Sequence, residues 1–374
     1  MKLGLLTFHN AANYGASLQA YALQKFLSDK GYYCEYINYV NASRAHEYSM
    51  LWHIWDSLRR RQLKSAVAYI LGSPFLTLRK IRFNKFYKQY LHKTEKVYHN
   101  STEATSLNES FDRFIVGSDQ VWNPTCNGYD CAFLLDFVME KSKKISYSPS
   151  FGVAAVPKVL EADYRKYLFE FGFLGVREMA GKSIVKELTG REATVNIDPV
   201  MLISKEQWMS ILPKKKHKER FIFFYTNCNN QIADFFKTGY HLEGRKQYVL
   251  SRYTRPQDFL NPAVRVKYCM SPQEFVWVIL NAELVISASF HCIAMAILLN
   301  RPFITILTGD KGKDERIVNL LKMTGLTGRI LSEKTNRQMI EAPIQWEFVN
   351  DLIIKKREQS ADYLFNAINS KCIF

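Results

Sequence analysis

One histidine stands where an apolar strand pattern meets an apolar helix pattern. The stretch ELVISASFHCIAMAIL gives an apolar run from Leu284 to Ile286, a small polar set that ends at Ser289, and then His291. A histidine at a helix N-terminus can exchange protons near neutral pH, and the positive end of the helix dipole attracts anions such as phosphate. We therefore consider His291 as a proton-transfer group, with a helix cap or a packed core histidine as the alternative.

An arginine at the end of another apolar run is the second candidate. Arg177 follows FLGV in FLGVRE, where a charged side chain is costly unless it is paired or binds an anion. Guanidinium matches carboxylate and phosphate in a bidentate geometry, which favours an anion site, while the neighbouring Glu178 is the alternative partner. With His291, Arg177 predicts a site in which two groups act on one small anion.

The loop FHNAANYGAS near the start also precedes a helix pattern. Asn13 and Gly15 lie where backbone N–H groups at the helix start could bind an anion, although Asn13 could equally be a turn residue. The loop lacks the GxGxxG pattern, so it does not predict a dinucleotide site.

Two more polar loops follow predicted strands. In VGSDQVWNP, Ser118 and Asp119 end a strand, Asp119 could act as a base or as a helix N-cap, and Trp122 could stack on a sugar. In SYSPSFG, a proline and a glycine break the strand, and we expect them to expose Ser150. No Ser-His-Asp spacing, nucleophile elbow or P-loop occurs, which disfavours hydrolase and kinase chemistry.

The elements that must position these residues alternate between strands and helices. This alternation predicts an α/β fold with parallel sheets covered on both faces, and ligands bind beyond the carboxyl ends of such strands. The pattern occurs twice, which predicts two Rossmann-like domains with a cleft between them. We place the domains at 1–211, with a basic, mostly helical insertion at about 41–108, and at 212–345, followed by a helix at 346–374 that packs back on the first domain.

Composition limits the class of protein. The chain has 374 residues with 47% hydrophobic residues, typical of packed globular domains, and no apolar run approaches the roughly 20 residues that span a bilayer. Its seven cysteines form no CxxC pair, which indicates reduced thiols in the cytoplasm and no metal site. The N-terminal apolar run is too short for a signal peptide.

Positive charge is concentrated in one segment. The net charge is +16, and from Arg59 to Lys96 there are eleven Lys and Arg residues with one acid, Glu95, and several interleaved aromatics. Nucleic acid, an anionic membrane surface or a phosphorylated substrate would suit such a segment. A solvated helical surface with its aromatics packed inward is the alternative.

Six stretches together resemble the polysaccharide pyruvyl transferase family. They are FHNAANYGASLQAYAL, VGSDQVWNP, SYSPSFG, VREMAGKSIVKELTG, NIDPVML and ISASFHCIAMAILLNRPFI, which recur in the family's order over roughly Met1 to Leu326. The resemblance implies a GT-B-like fold of two Rossmann-like domains flanking a central cleft. It also implies pyruvyl transfer from phosphoenolpyruvate to a sugar, usually as a ketal, in surface or capsular polysaccharide biosynthesis.

The resemblance places the family's histidine on His291 and its arginine on Arg177. Some members carry an arginine where this chain has Ser289, and Arg316 in KDERIVNLL could supply the missing contact. The scheme needs no cofactor and no metal, and we expect no nucleic acid partner. If the acceptor is a lipid-pyrophosphate-linked oligosaccharide, the segment 59–96 could dock the protein on the inner membrane. A nucleotide-sugar glycosyltransferase and a nucleic-acid- or membrane-surface-binding protein remain the alternatives.

Overall fold

The computed structural model describes residues 1–47, 49–215, 219–226, 229–250 and 261–370. The chain divides into two compact units, each with its own parallel sheet. Unit 1 comprises Met1–Ser49, Tyr87–Ile203 and Ile354–Phe374, and unit 2 comprises Met50–Phe86 and Ser204–Ile353.

The strands of both units pair in parallel throughout the described residues. In unit 1 they are β1 (Lys2–Leu6), β2 (Tyr33–Tyr39), β3 (Lys93–Tyr98), β4 (Arg113–Val116), β5 (Lys144–Ser146), β6 (Phe173–Val176) and β7 (Thr194–Val195). In unit 2 they are β8 (Phe221–Tyr225), β9 (Lys246–Val249), β10 (Val264–Val266), β11 (Leu284–Ser287) and β12 (Phe303–Thr305).

Helices connect these strands. They are α1 (Tyr14–Asp29), α2 (Ala42–Glu47), α3 (Met50–Arg59), α4 (Leu63–Tyr90), α5 (Ser101–Ala104), α6 (Pro124–Asn127), α7 (Glu161–Phe169), α8 (Met179–Thr189), α9 (Lys205–Met209), α10 (Asn229–Phe236), α11 (Pro272–Asn281), α12 (Phe290–Leu298), α13 (Lys311–Thr324), α14 (Arg337–Glu341) and α15 (Trp346–Asn369).

Both sheets reverse their strand order at an equivalent place. The order is β3-β2-β1-β4-β5-β6-β7 in unit 1 and β10-β9-β8-β11-β12 in unit 2, so the reversal falls between β1 and β4 and between β8 and β11. In open parallel sheets, ligands bind beyond the carboxyl ends of the strands at such a point. The predicted α/β fold with two Rossmann-like parallel sheets is confirmed.

The central strands are apolar because both faces of each sheet are covered. In unit 1, Leu6 and Val116 are fully buried, and in unit 2 the same holds for Phe224 and Ile286. Parallel strands buried on both faces are read in sequence as continuous apolar runs rather than as alternating patterns. This explains why RFIV, FIFFY and LVIS could be recognised as strands from sequence.

The segment 41–108 differs from its prediction in two respects. It contains α2, α3 and α4, but it also contains β3, the edge strand of the seven-stranded sheet, whose sequence KTEKVY is largely polar and exposed. An edge strand has one neighbour and tolerates charged side chains, so it lacks the apolar signal of a central strand. The segment 50–86 also groups with unit 2 rather than with the N-terminal domain.

Contacts within unit 2 explain this grouping. Arg82 donates through Nη1 to Glu274 Oε2 and to the carbonyl oxygen of Cys269, both at 2.8 Å. The rings of Phe75 and Tyr268 lie 5.2 Å apart. These partners are almost 200 residues away in sequence, so the local pattern of α4 gives no sign of them.

The last helix carries side chains that hold the loops of unit 1. Tyr363 donates its hydroxyl to Ser146 O at 2.9 Å, and Arg357 donates through Nε to Met201 O at 2.7 Å. Ser360 Oγ accepts from the backbone N–H of Ile197 at 3.0 Å. The part of α15 from Ile354 onward therefore groups with unit 1.

Candidate functional site

In unit 1, a ring of hydrogen bonds joins the ends of β1 and β4 to α1. Thr7 donates to Ser118 O at 3.0 Å, Gln19 Nε2 donates to Thr7 Oγ1 at 2.9 Å, and the backbone N–H of Ser118 donates to Gln19 Oε1 at 3.2 Å. All three side chains are buried. The small and amide side chains after these strands therefore fix the loop geometry at the reversal point of the sheet.

Asp198 is the acceptor that connects three loops of unit 1. Its Oδ2 accepts from Ser118 Oγ at 3.0 Å and from Arg177 Nη1 at 2.9 Å, and its Oδ1 accepts from the backbone N–H of Val200 at 3.1 Å. The carboxylate is fully buried. It therefore joins the polar ends of β4 and β6 to the turn that follows β7.

Arg177 is paired inside this cluster. Besides its bond to Asp198, its Nε lies 3.5 Å from Glu178 Oε2, and its side chain is 3% exposed. Burial opposes the charge on the guanidinium, but the carboxylates of Glu178, Asp198 and Asp119 outweigh it, so the pKa of Arg177 lies above its ordinary value. Three carboxylates around one cation leave a surplus of negative charge, which disfavours a further anion at this guanidinium.

The residues at the start of α1 are helix-capping residues in the structure. Asn13 is the N-cap, and its Oδ1 accepts from the backbone N–H of Ala16 at 3.2 Å. Ser17 Oγ, one turn along, is within 2.6 Å of Tyr87 Oη. Gly15 is buried in the first turn. The contacts of Asn13 therefore agree with its alternative role as a residue of the turn before the helix. The binding of an anion at this helix end stays a prediction.

Trp122 does not offer a face to a sugar. It is fully buried, donates its indole N–H to Phe133 O at 2.9 Å, and packs against the rings of Phe151 and Phe171. Its neighbour Asn123 is the N-cap of α6. The prediction of sugar stacking is corrected: a large aromatic next to a polar loop is here part of the core of unit 1.

Ser150 is likewise buried rather than exposed. It is 0% exposed, its Oγ donates to Glu178 Oε1 at 2.6 Å, and its backbone N–H donates to Asp119 O at 2.8 Å. Ser118 is also fully buried, so neither hydroxyl can contact a substrate directly in this structure. The predicted substrate-binding role of both serines is corrected to one of joining loops.

In unit 2, small polar side chains fix the ends of β8, β11 and β12. Ser287 donates through Oγ to Tyr225 O at 2.7 Å, and Thr305 Oγ1 donates to Ser287 O at 3.0 Å. The backbone N–H of Ser289 then donates to Ser287 Oγ at 3.0 Å, at the N-cap position of α12. This is the reversal point of the second sheet.

His291 lies in the first turn of α12, directly beyond this point. It is 8% exposed, and its ring contacts that of Phe290 edge-on, with 5.1 Å between centroids. The Ser289 side chain, by contrast, makes no capping hydrogen bond and is half-buried. The strand-turn-helix predicted around His291 is thus present in the structure.

The residue after His291 is not a nucleophile at neutral pH. Burial raises the pKa of the Cys292 thiol to about 12, and the side chain is fully buried. The chemistry available at this helix start is therefore proton transfer and anion binding rather than thiolate attack.

Arg316 lies on α13, a helix that contacts α12. Two residues earlier, Asp314 accepts from the backbone N–H of Thr308 and of Gly309, both at 2.8 Å, and so fixes the loop after β12. Arg316 is 9% exposed. Because Arg316 is largely buried and lies on the helix next to the one that carries His291, it stays a candidate for anion binding.

The structure places Arg177 in unit 1 and both His291 and Arg316 in unit 2. The expectation that Arg177 and His291 act on the same anion is untested, and the carboxylates around Arg177 weigh against it. Sequence reasoning did not select Asp198, which lies in NIDPVML between an isoleucine and a proline. Its position could have indicated a buried role, because an acid just after a strand and inside an apolar stretch requires a partner for its charge.

Comparison with known proteins gives a family and a fold. A family model described as polysaccharide pyruvyl transferase matches residues 13–310. No curated protein matches the sequence. The matched range is most of the chain and contains the predicted site residues Asn13, Arg177 and His291, and it ends before Arg316.

Several solved structures are similar in fold. UDP-GlcNAc 2-epimerase from Neisseria meningitidis bound to UDP-GlcNAc is 14% identical with a TM-score of 0.50, over 98% of this chain and 97% of that chain. The S. aureus MnaA-UDP co-structure is 10% identical with a TM-score of 0.52, over 96% and 90%. A putative UDP-N-acetylglucosamine 2-epimerase from Listeria monocytogenes is 10% identical with a TM-score of 0.51, over 97% and 90%. These likenesses support the GT-B-like fold and nothing further.

Proposed function

The chain belongs to the polysaccharide pyruvyl transferase family, and from that premise we propose that it transfers a pyruvyl group from phosphoenolpyruvate to a sugar. In this reaction two sugar hydroxyls add to C2 of the enol and the bond from C2 to the phosphate oxygen breaks. One hydroxyl proton ends on C3, which becomes a methyl group, and the other leaves with inorganic phosphate. The product is a ketal, and the scheme consumes no water, cofactor or metal.

The observation that carries the proposal is the position of His291. It lies in the first turn of α12, at the reversal point of the second sheet and within the range matched by the family model. Ligands of open parallel sheets bind at this place, and a helix N-terminus favours an anion. Phosphoenolpyruvate carries both a carboxylate and a phosphate, so its charge suits the helix start.

His291 is proposed as the acid that protonates C3 of phosphoenolpyruvate. Protonation makes C2 electrophilic, because the positive charge that develops there is shared with the enol oxygen. A sugar hydroxyl then adds to C2, and an imidazole that has given up its proton can accept one again. The helix N-terminus and Arg316 would stabilise the carboxylate and the departing phosphate.

The polar cluster of unit 1 is proposed to order the loops at the strand ends of that unit. Arg177 is held by Asp198 and Glu178, so we assign it to positioning these loops rather than to binding the phosphate of the donor. Asp119, at 7% exposure and with a left-handed backbone conformation (φ 69°), is the candidate base or anchor for a sugar hydroxyl. A carboxylate acceptor next to a hydroxyl would help to remove its proton.

The proposed acceptor is a sugar of a surface or capsular polysaccharide, carried as a lipid-pyrophosphate-linked oligosaccharide in the cytoplasm. Phosphoenolpyruvate is a cytoplasmic metabolite, so the reaction would take place before the sugar is exported. The family membership supports a sugar acceptor as a class. The acceptor screen described below would identify the particular sugar and the hydroxyls that react.

The experiment combines phosphoenolpyruvate with a panel of sugars and follows both products. We expect sugar-dependent release of inorganic phosphate and, by mass spectrometry, a sugar whose mass has increased by pyruvic acid less one water. The same protein with His291→Gln should give neither product, and this variant also detects phosphate released by a contaminating phosphatase.

A second set of reactions tests the glycosyltransferase alternative. The protein is given nucleotide sugars with the same acceptors, and release of nucleoside diphosphate is measured. The proposed function would be contradicted if nucleoside diphosphate is released from nucleotide sugars while no acceptor gives phosphate release from phosphoenolpyruvate. Transfer from phosphoenolpyruvate alone would support it.

A further inference from the structure

Helix α4 carries exposed apolar side chains on both sides of Pro74, here together called the α4 stripe. Its five members are between 42% and 66% exposed, and they are Leu63, Val67, Ile70, Leu78 and Ile81. Because an α-helix turns about 100° per residue, these positions fall within a sector of roughly 80°. Single exposed apolar residues are common on protein surfaces, but an aligned row along five turns indicates a contact surface.

The preceding helix extends the apolar surface. On α3, Leu51, Trp55 and Leu58 are each at least half exposed, and their spacing of four and three residues places them on one side of the helix. The two helices touch through the rings of His53 and Tyr69, which stack with centroids 4.9 Å apart. The exposed apolar residues of α3 and α4 therefore belong to adjoining helices.

Positive charge accompanies these apolar residues. Between Met50 and His92 the sequence has nine Lys and Arg residues and one acid, Asp56. Asp56 is itself bonded to Arg60 at 3.0 Å, so it offers no other partner. Lys85 and Lys88 are exposed, and both fall in the same sector as the α4 stripe.

We propose that the α4 stripe, together with the exposed face of α3, binds the surface of an anionic lipid bilayer. A helix with aliphatic residues on one side and lysine or arginine beside them lies in the interface plane, with its apolar side among the acyl chains. The basic side chains then contact anionic headgroups, and a tryptophan such as Trp55 is favoured at headgroup depth.

The charge distribution favours lipid over two other occupants. A second copy of this chain would bring an apolar face with the same excess of positive charge, and like charges oppose each other across an interface. Nucleic acid would match the charge but would leave the five aliphatic side chains without an apolar partner, because single strands are bound on aromatic platforms. An anionic bilayer satisfies both the apolar and the basic part.

The protein would lie on the bilayer rather than cross it. Among the described residues, no helix is both long and apolar enough to span a membrane. The surface also does not depend on the proposed chemistry, since vesicle binding and pyruvyl transfer to a soluble sugar are measured separately. Failure of one proposal therefore leaves the other to be judged on its own measurement.

The test is flotation of the full chain with vesicles of phosphatidylcholine, alone or mixed with phosphatidylglycerol. We expect the protein to bind the mixed vesicles about tenfold more than the neutral ones, and high salt to reduce the difference. The variant Val67→Ser, Ile70→Ser, Ile81→Ser should bind roughly tenfold less. The variant Lys85→Gln, Lys88→Gln should lose roughly fivefold in binding per charge.

Matched control variants carry the same kinds of change on other surfaces. Met139→Ser, Val159→Ser, Phe169→Ser alters three exposed apolar residues of unit 1, and Lys334→Gln, Lys355→Gln alters two exposed lysines. Both should bind vesicles like the unchanged protein, with thermal midpoints recorded for all variants.

Three results would overturn the proposal. The first is equal loss of binding in the stripe variant and its unit 1 control. The second is equal binding to the neutral and the anionic vesicles. The third is a concentration-dependent dimer that dissociates in the stripe variant while no vesicle binding occurs, which would assign the surface to contact between copies.

Discussion

Arg177 Nη1 lies 2.9 Å from Asp198 Oδ2, with both side chains buried at the carboxyl end of the sheet of unit 1. The pair joins β6 to the turn after β7, and Ser118 Oγ shares the same carboxylate oxygen. The burial of the Arg177 guanidinium at the end of an apolar strand is thus explained by its pairing with Asp198, 21 residues further along the chain.

Removing the charge of Asp198 should destabilise the protein. Asp198→Asn weakens the buried hydrogen bonds that Asp198 accepts from Arg177, Ser118 and Val200, and a hydrogen bond to a charged group contributes about 1.5–3 kcal/mol to the free energy of unfolding. Urea unfolding monitored by tryptophan fluorescence measures the difference. Glu192→Gln is the control, because Glu192 pairs with Lys182 and Lys186 on an exposed surface and its loss should not shift the transition. Equal midpoints for the two variants would contradict a structural role for the buried pair.

Replacing His291 should abolish turnover while preserving the fold. His291→Gln removes the proposed acid but keeps a polar side chain of similar length, so kcat should fall by roughly a hundredfold to ten-thousandfold. Phosphate release from phosphoenolpyruvate in the presence of the acceptor gives kcat, and circular dichroism gives the thermal midpoint. His241→Gln, an exposed histidine of the same unit, is the matched control and should keep full activity. Near-complete activity in His291→Gln would remove this residue from the mechanism.

His9 should make the protein less stable in mild acid. Burial, followed by the positive charge of Lys93, lowers the pKa of His9 to about 4 from 6.5. Between these values the unfolded chain binds a proton that the folded chain does not, so the free energy of unfolding falls as the pH falls from 6.5 to 4. At about 1.36 kcal/mol per pKa unit, the full loss is about 3 kcal/mol.

The variant His9→Phe isolates this effect. The ring of His9 stacks on Tyr36 with 5.6 Å between centroids, and phenylalanine retains the aromatic ring without the titration. The stability advantage of the unchanged protein over His9→Phe should shrink by about 3 kcal/mol between pH 7.5 and pH 4. An advantage that is constant across this range would show that His9 does not titrate as its burial requires.

Gly117 should not tolerate a side chain. Its φ is +120°, and a Cβ at this position would lie 2.1 Å from the carbonyl oxygen of Tyr147 on the neighbouring strand end. Gly117→Ala must therefore displace backbone, and we expect a loss of about 2–4 kcal/mol in unfolding free energy. Gly72→Ala is the opposite case: a Cβ there meets nothing within 4 Å, and in a helix it should stabilise by about 0.5–1 kcal/mol. Both substitutions with the same sign would contradict this account.

Much of the fold could be predicted from local pattern. Buried parallel strands are apolar on both faces, so β4, β8 and β11 were recognised from RFIV, FIFFY and LVIS. The edge strand β3 was not recognised, because one of its sides has no neighbouring strand and its side chains are largely polar. The grouping of residues 50–86 with unit 2 was missed for another reason, since Arg82 has its carboxylate partner at Glu274, far along the chain.

Local residue patterns were enough to predict the alternation of strands and helices, the polar loops at the strand ends and the position of His291 at the start of a helix. These features depend on residue types within a few positions of each other. The burial of Trp122 and Ser150, and the pairing of Arg177 with Asp198 as well as with its neighbour Glu178, became visible only in the folded chain. Burial and charge pairing depend on which distant segments pack together. The local sequence around a polar residue after a strand is the same whether that residue ends up buried or exposed.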